Sequence, residues 1–238
     1  MADIAAVIRE LVAGNRILAN EGIVDAWGHI SVRNPDNPNT YFLSRSRSPE
    51  LVEIEDIMEF DLDSKPINDD GRPIYIERPI HGAIYAARPD VTSVIHNHCL
   101  EVLPFGVTMT EMRPVIHNAR VLGNRVAVWD IREKFGDTDL LVTTNEQGAD
   151  LAKKLGQDKA VFMRGHGIAV TGTNIPNAVQ SAMAVKRNAS TIMSALLLGG
   201  QITYLSPGEV GQPRGGAESL RGHDRAWEYL CRRAGVSL

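Results

Sequence analysis

Apolar residues along this chain recur at two spacings, and the switching between them predicts a mixed α/β protein. Ile4, Val7, Ile8, Leu11, Val12, Ile17 and Leu18 return every three or four positions, which predicts a helix over 2–20 with a stop at Asn20 to Gly22. Residues 29–33 and 40–44 alternate instead, and Asn34-Pro35-Asp36-Asn37-Pro38 between them reads as the turn of a hairpin. A short helix is expected at 53–57, a strand at 57–62 and a helix over 77–87 that carries Pro79 in its first turn. β-Branched residues at 91–95 predict the next strand, and short strands follow at 126–129, 139–142, 160–163 and 168–170. Further helices are expected at 146–155, 176–199 and 217–234, with a Gly/Pro-rich stretch, 206–216, that either moves or covers a site. No repeat or linker divides the chain, so residues 1–238 are expected to form one domain.

Composition narrows the function only by exclusion. The 25 basic and 29 acidic residues are spread along the chain with a net charge of −4, without the basic stripe that nucleic-acid binding needs. Two cysteines, Cys99 and Cys231, imply no disulfide framework and point to a reducing cytoplasm. Asp3 and Glu10 interrupt the apolar N-terminus, so a signal peptide is not expected, and no apolar run reaches the roughly 20 residues that cross a bilayer.

The chemistry concentrates between Tyr75 and Cys99. The predicted strand runs into His96-Asn97-His98, which places two imidazoles on one face of an extended chain, about 7 Å apart at Cα. They are either ordinary strand-end histidines or two ligands of a divalent metal whose third ligand comes from elsewhere, as His166 in Arg164-Gly165-His166-Gly167 can. Glu77 precedes this strand at a helix start, where a carboxylate either stabilises the helix or shuttles a proton. His81, one turn later, reads as a packing residue or a support for the ligands.

Four features in order resemble the class II aldolase/adducin family: Gly28-His29-Ile30-Ser31-Val32-Arg33, Glu77, His96-Asn97-His98 and Gly165-His166-Gly167. The resemblance spans nearly the whole chain. It implies a central, mainly antiparallel sheet with helices on both faces, in three layers, and often a cyclic homotetramer with sites between subunits. It also implies one divalent metal per subunit, held by His96, His98 and His166, with Glu77 as the acid/base. The histidines alone do not choose among Zn, Mn, Fe and Co.

Departures from the sugar-phosphate aldolases of that family suggest a different substrate. His29 stands where they have an Asn of the phosphate pocket, Arg45 and Arg47 lie in the next loop with Ser44, and Arg78 follows Glu77. Guanidinium groups suit planar carboxylates. The resemblance further implies a second acid/base, His117, and a C-terminal tyrosine, Tyr204, reaching the site, the former from a neighbouring subunit. The stretches 25–29 and 44–49 resemble the family's metal-dependent aromatic decarboxylases most. The expected function is therefore decarboxylation of a hydroxylated aromatic or pyridine dicarboxylate. Alternatives are an aldolase acting on a carboxylated β-hydroxy ketone or keto acid, an Fe(II) oxygenase of the kind found in one branch of the fold, and a non-catalytic adducin-like binding module.

Overall fold

A computed structural model describes residues 2–213 and 217–236, with side chains in the last helix described from residue 224 onward. Seven strands form one sheet in the order β3-β2-β1-β4-β7-β6-β5. They are β1 (His29–Arg33), β2 (Thr40–Ser44), β3 (Ile57–Asp61), β4 (Ser93–Asn97), β5 (Ala127–Trp129), β6 (Ala160–Met163) and β7 (Gly167–Gly172). All neighbours run antiparallel except β5 and β6. The helices are α1 (Ile4–Asn20), α2 (Pro79–Ala87), α3 (Arg132–Phe135), α4 (Asn145–Leu155), α5 (Ile175–Leu197), α6 (Pro207–Val210) and α7 (Ala217–Arg233).

The strand period sorts the core into two faces. Ile30, Val32, Ile95, Ile168 and Val170 pack with α1, α5 and α7, where Leu11, Ile17, Val179, Val185 and Trp227 meet them. Their alternates Val94, Val161 and Ala169 pack on the other face with Ile80 and Ile84 of α2 and Leu151 and Leu155 of α4. This is the three-layer α/β arrangement expected from the sequence. Helix starts are set by local hydrogen bonds: Asp3 accepts the Ala6 N–H at 2.9 Å, Asn174 accepts the Asn177 N–H at 2.7 Å, and Thr144 with Gln147 forms a reciprocal cap.

One expected strand is absent. Residues 139–142 lie outside the sheet, because Leu140 turns into the left-handed region at φ 70° and its neighbours bond to the site rather than to a strand. The stretch 206–216 begins with α6, capped by Ser206 and Glu209, and residues 214–216 of it lie outside the described residues. Among the described residues no helix is long and apolar enough to cross a membrane.

Candidate metal centre

Sheet pairing places the site. His29 at the start of β1 is the register partner of His96 near the end of β4, so both rings stand on the α2 face, side by side, with centroids 5.3 Å apart. His98 follows His96 at the next position of the same parity, and His166 occupies the turn joining β6 to β7, the neighbour of β4. Glu77 arrives from the loop that opens α2. One ligand atom from each of Glu77, His96, His98 and His166 lies within 4.8 Å of the other three. His98 Nε2 is 3.0 Å from His96 Nε2, and Glu77 Oε2 is 3.3 Å from His96 Nε2 and 3.2 Å from His166 Nε2.

Two glycines permit this approach. Gly165 adopts φ 67°, which tightens the turn that carries His166. A Cβ on Gly167 would run into the Asn97 carbonyl oxygen and lie 3.0 Å from the His98 ring and 3.2 Å from the His96 ring.

The outer nitrogens of the three rings decide what the inner ones offer. His96 Nδ1 donates to the Ile168 carbonyl at 3.3 Å, His166 Nδ1 to the Leu140 carbonyl at 2.9 Å and His98 Nδ1 to the Asp25 carboxylate at 3.1 Å. Those partners only accept, so each neutral ring carries its proton on Nδ1 and turns an Nε2 lone pair inward. Three lone pairs and a carboxylate oxygen then converge with nothing to share but a cation, which is the donor set of a divalent metal.

Electrostatics match. Burial alone would raise the Glu77 carboxyl, but the His96 and His166 imidazoles outweigh it and hold the group well below the usual carboxylate range. Burial lowers His166, yet its hydrogen bond to Glu77 wins and raises it, whereas burial and His96 lower His98. Glu77 Oε1 is fixed by the Val142 N–H at 2.9 Å, which leaves Oε2 for the cluster.

Residues 9–193 match the class II aldolase and adducin N-terminal domain. The chain belongs to that family. It is 35% identical to a decarboxylase named tropJ from Talaromyces stipitatus, across 76% of this chain and 73% of that one. It is 27% identical to a 3,4-dihydroxyphthalate decarboxylase from Arthrobacter keyseri, across 86% and 85% of the two chains. In structure it resembles an aldolase II superfamily protein from Pseudomonas syringae, with a TM-score of 0.79 at 20% identity over 96% of this chain and 92% of that one.

Around the cluster of this family member, the expected substrate residues divide into two groups. His29 is buried, its ring 4.4 Å from that of Tyr75, and the Tyr75 hydroxyl lies 3.4 Å from Ser44 Oγ and donates to the Arg47 carbonyl. Arg45 and Arg47 share one counter-ion, each donating to the buried Asp56 at 2.6 Å. Burial works against ionising Asp56, but the Glu53 N–H and the two guanidinium groups prevail and lower its pKa. Arg78 spends Nε on the Ser64 carbonyl at 2.7 Å and Nη1 on the Tyr75 carbonyl at 2.9 Å.

His117 and Tyr204 form the second group. His117 is exposed at the start of a 3₁₀ segment, His117–Leu122, and no hydrogen bond or ring contact among the described residues joins it to Glu77, His96, His98 or His166. The Arg113 guanidinium covers the Tyr204 ring at 4.4 Å, so within one subunit Tyr204 is a packing partner of residues 113–114.

Sequence reasoning missed Asp25, the Leu140 and Ile168 carbonyls and Tyr75. Asp25 carried a signal: Asp-x-x-Gly before a strand is an Asx turn, and Asp25 Oδ1 does accept the Trp27 and Gly28 N–H groups at 2.9 Å each. Main-chain acceptors carry none.

Proposed function

We propose that this protein is a divalent-metal-dependent carbon–carbon lyase that decarboxylates a hydroxylated aromatic dicarboxylate. The observation that carries the reading is the convergence of three Nε2 atoms and Glu77 Oε2, with the buried His29 ring beside that of His96. The decarboxylase names of two relatives support the reaction class, and the paired arginines support a carboxylate substrate.

His96, His98 and His166 would hold the metal, which when bound supplies a Lewis acid that draws electron density away as carbon dioxide leaves. The residues of the chain do the rest. Arg45 keeps N–H groups beyond the Nε given to Asp56 and holds the spectator carboxylate, with Ser44 beside it. Glu77 Oε2 takes the ring hydroxyl proton on binding and returns it to the ring carbon that loses carbon dioxide, so the step is balanced without an outside acid. Val142 keeps Oε1 out of that exchange. His117 and Tyr204 join the site only if a neighbouring subunit brings them, which fits the homotetramer that the family implies. Residues 1–238 act as one domain around the shared sheet. The two buried, unpaired cysteines suit a cytoplasmic home.

The test is carbon dioxide release from ortho-hydroxylated benzene and pyridine dicarboxylates by protein reconstituted with Zn, Mn, Fe or Co. Release that needs the metal and falls by orders of magnitude in Glu77→Gln at saturating metal supports the proposal. Pyruvate or an aldehyde formed from keto acids, without carbon dioxide release from the aromatic panel, would reassign the site to aldol cleavage. Oxygen uptake with iron alone would reassign it to oxygenation.

A further inference from the structure

Behind His29 runs a buried chain of polar side chains that the metal cluster does not use. His29 Nδ1 is 2.6 Å from His81 Nε2, His81 Nδ1 is 2.6 Å from Ser31 Oγ, and Ser31 Oγ is 2.7 Å from the Tyr85 hydroxyl. All four residues are at most 1% exposed. Each link holds one hydrogen, and the distances alone leave its direction open.

The far end fixes it. Among the described residues the Tyr85 hydroxyl has one side-chain partner, Ser31 Oγ, and the backbone group that also faces it, the Val94 N–H, can only donate. Its phenolic proton therefore goes to Ser31. Burial also pushes that phenol well above its ordinary pKa, so the proton stays on it. Ser31, now accepting from Tyr85, gives its own hydrogen to His81 Nδ1. His81 must then carry its proton on Nε2 and donate to His29 Nδ1, which leaves the His29 proton on Nε2. Reversing any link reverses all of them and strands the Tyr85 proton in the core without an acceptor. A second proton on His81 would strand the Ser31 hydrogen in the same way.

We propose that His29 is a neutral hydrogen-bond donor whose Nε2–H is set by His81, Ser31 and Tyr85 acting as positioning residues, and that it serves an acceptor oxygen of the substrate. Its Nε2 has no hydrogen-bond partner among the described residues, on a ring packed between Tyr75 and the metal ligand His96. A carboxylate or ring oxygen of a ligand beside the metal completes that bond. His29 is the tautomeric opposite of the three ligands, which carry their protons on Nδ1. It therefore orients and polarises the substrate without binding the metal. It does not act as the acid, because surrendering its proton would pass the deficit down the chain to a buried Tyr85 phenolate. Use of the donor in catalysis rests on the decarboxylase reading, whereas the order of the protons does not.

The experiment is a long-range ¹⁵N–¹H correlation spectrum of the metal-free full chain, with His29 assigned through His29→Gln. His29 and His81 are both expected to show a protonated Nε2 and a bare Nδ1. In Tyr85→Phe, which removes the anchoring donor and keeps the ring, both tautomers of His29 should be populated, and kcat/KM of the metal-loaded enzyme should fall about tenfold. A wild-type His29 protonated on Nδ1 would overturn the proposal. So would an unchanged single tautomer in both Tyr85→Phe and Ser31→Ala. Because the spectrum needs no metal and no substrate, its outcome is separate from that of the carbon dioxide assay.

Discussion

Asp25→Asn tests how the outer partners control the cluster. In the native protein Asp25 Oδ1 accepts two amide hydrogens at 2.9 Å, from Trp27 and Gly28, and both carboxylate oxygens face His98 Nδ1, Oδ2 at 3.1 Å and Oδ1 at 3.2 Å. Asparagine must keep its oxygen on the two amides, since they only donate, so its NH₂ falls in the place of Oδ2. Donor then meets donor on that side, and the His98 N–H keeps only Oδ1, already shared by two amides, unless the ring moves its proton to Nε2. There the proton points at His96 Nε2, 3.0 Å away, and the third lone pair is lost to the metal. Restoring the ligand tautomer costs one good hydrogen bond and leaves one donor unpaired, about 1–3 kcal/mol, or roughly 10- to 100-fold in metal affinity. Loss of charge is a smaller part, because the Asp25 side chain is 45% exposed and screened. The assay is competition for zinc against a fluorescent chelator, with Asp25→Ser as the companion variant. Serine still caps the turn amides but opposes nothing to His98, so its loss should be smaller than that of asparagine. Asparagine binding zinc within threefold of wild type, or serine binding worse than asparagine, would refute the reasoning.

Gly167→Ala should destabilise the fold by about 3 kcal/mol or more, since the added methyl meets a backbone carbonyl that cannot swing aside; urea unfolding measures it. Asp56→Ala should cost about 2 kcal/mol, because it leaves two half-buried guanidinium groups without their shared partner. The folded-state pKa of Asp56 is lowered, so its contribution is complete above the unfolded value of about 3.9 and is lost as pH falls through the folded one. The stability gap between wild type and Asp56→Ala should therefore narrow below about pH 4, and a gap that stayed constant to pH 2 would refute that linkage. Zinc at a hundredfold excess over its Kd should stabilise the protein by about 2.7 kcal/mol, reversed by a chelator, and a melting temperature indifferent to metal would sink the cluster as a metal site.

Much of the sheet was legible because its strands are short, β-branched and bounded by turn residues, as at Asn34 to Pro38 between β1 and β2. The failure at 139–142 is instructive. Leu140-Leu141-Val142 has the composition of a strand, but Glu77 and His166 claim the Val142 N–H and the Leu140 carbonyl, and site chemistry overrode propensity. The four residues that converge could be picked out because histidine and glutamate at motif spacings are conspicuous. What the sequence hid was direction. Nothing in Ser31 or Tyr85 as letters says that they order the protons of His29, since that depends on which atoms the β1–β4 register and α2 bring together. Arg45 and Arg47 were visible as charges, but their common counter-ion Asp56, about ten residues downstream, was not.

The three histidine rings of the cluster are anchored with unequal firmness. His96 is fully enclosed and tied to the main chain of β7, and His166 leans on a carbonyl of a left-handed turn with 9% of its side chain exposed. His98 hangs from a surface carboxylate with 17% of its side chain open. An ion bound here therefore has a hinge side and a door side. Exchange with solvent, chelators or competing metals would then begin with release of His98. The lifetime of a bound metal would then depend on that one surface pair more than on the two enclosed rings behind it.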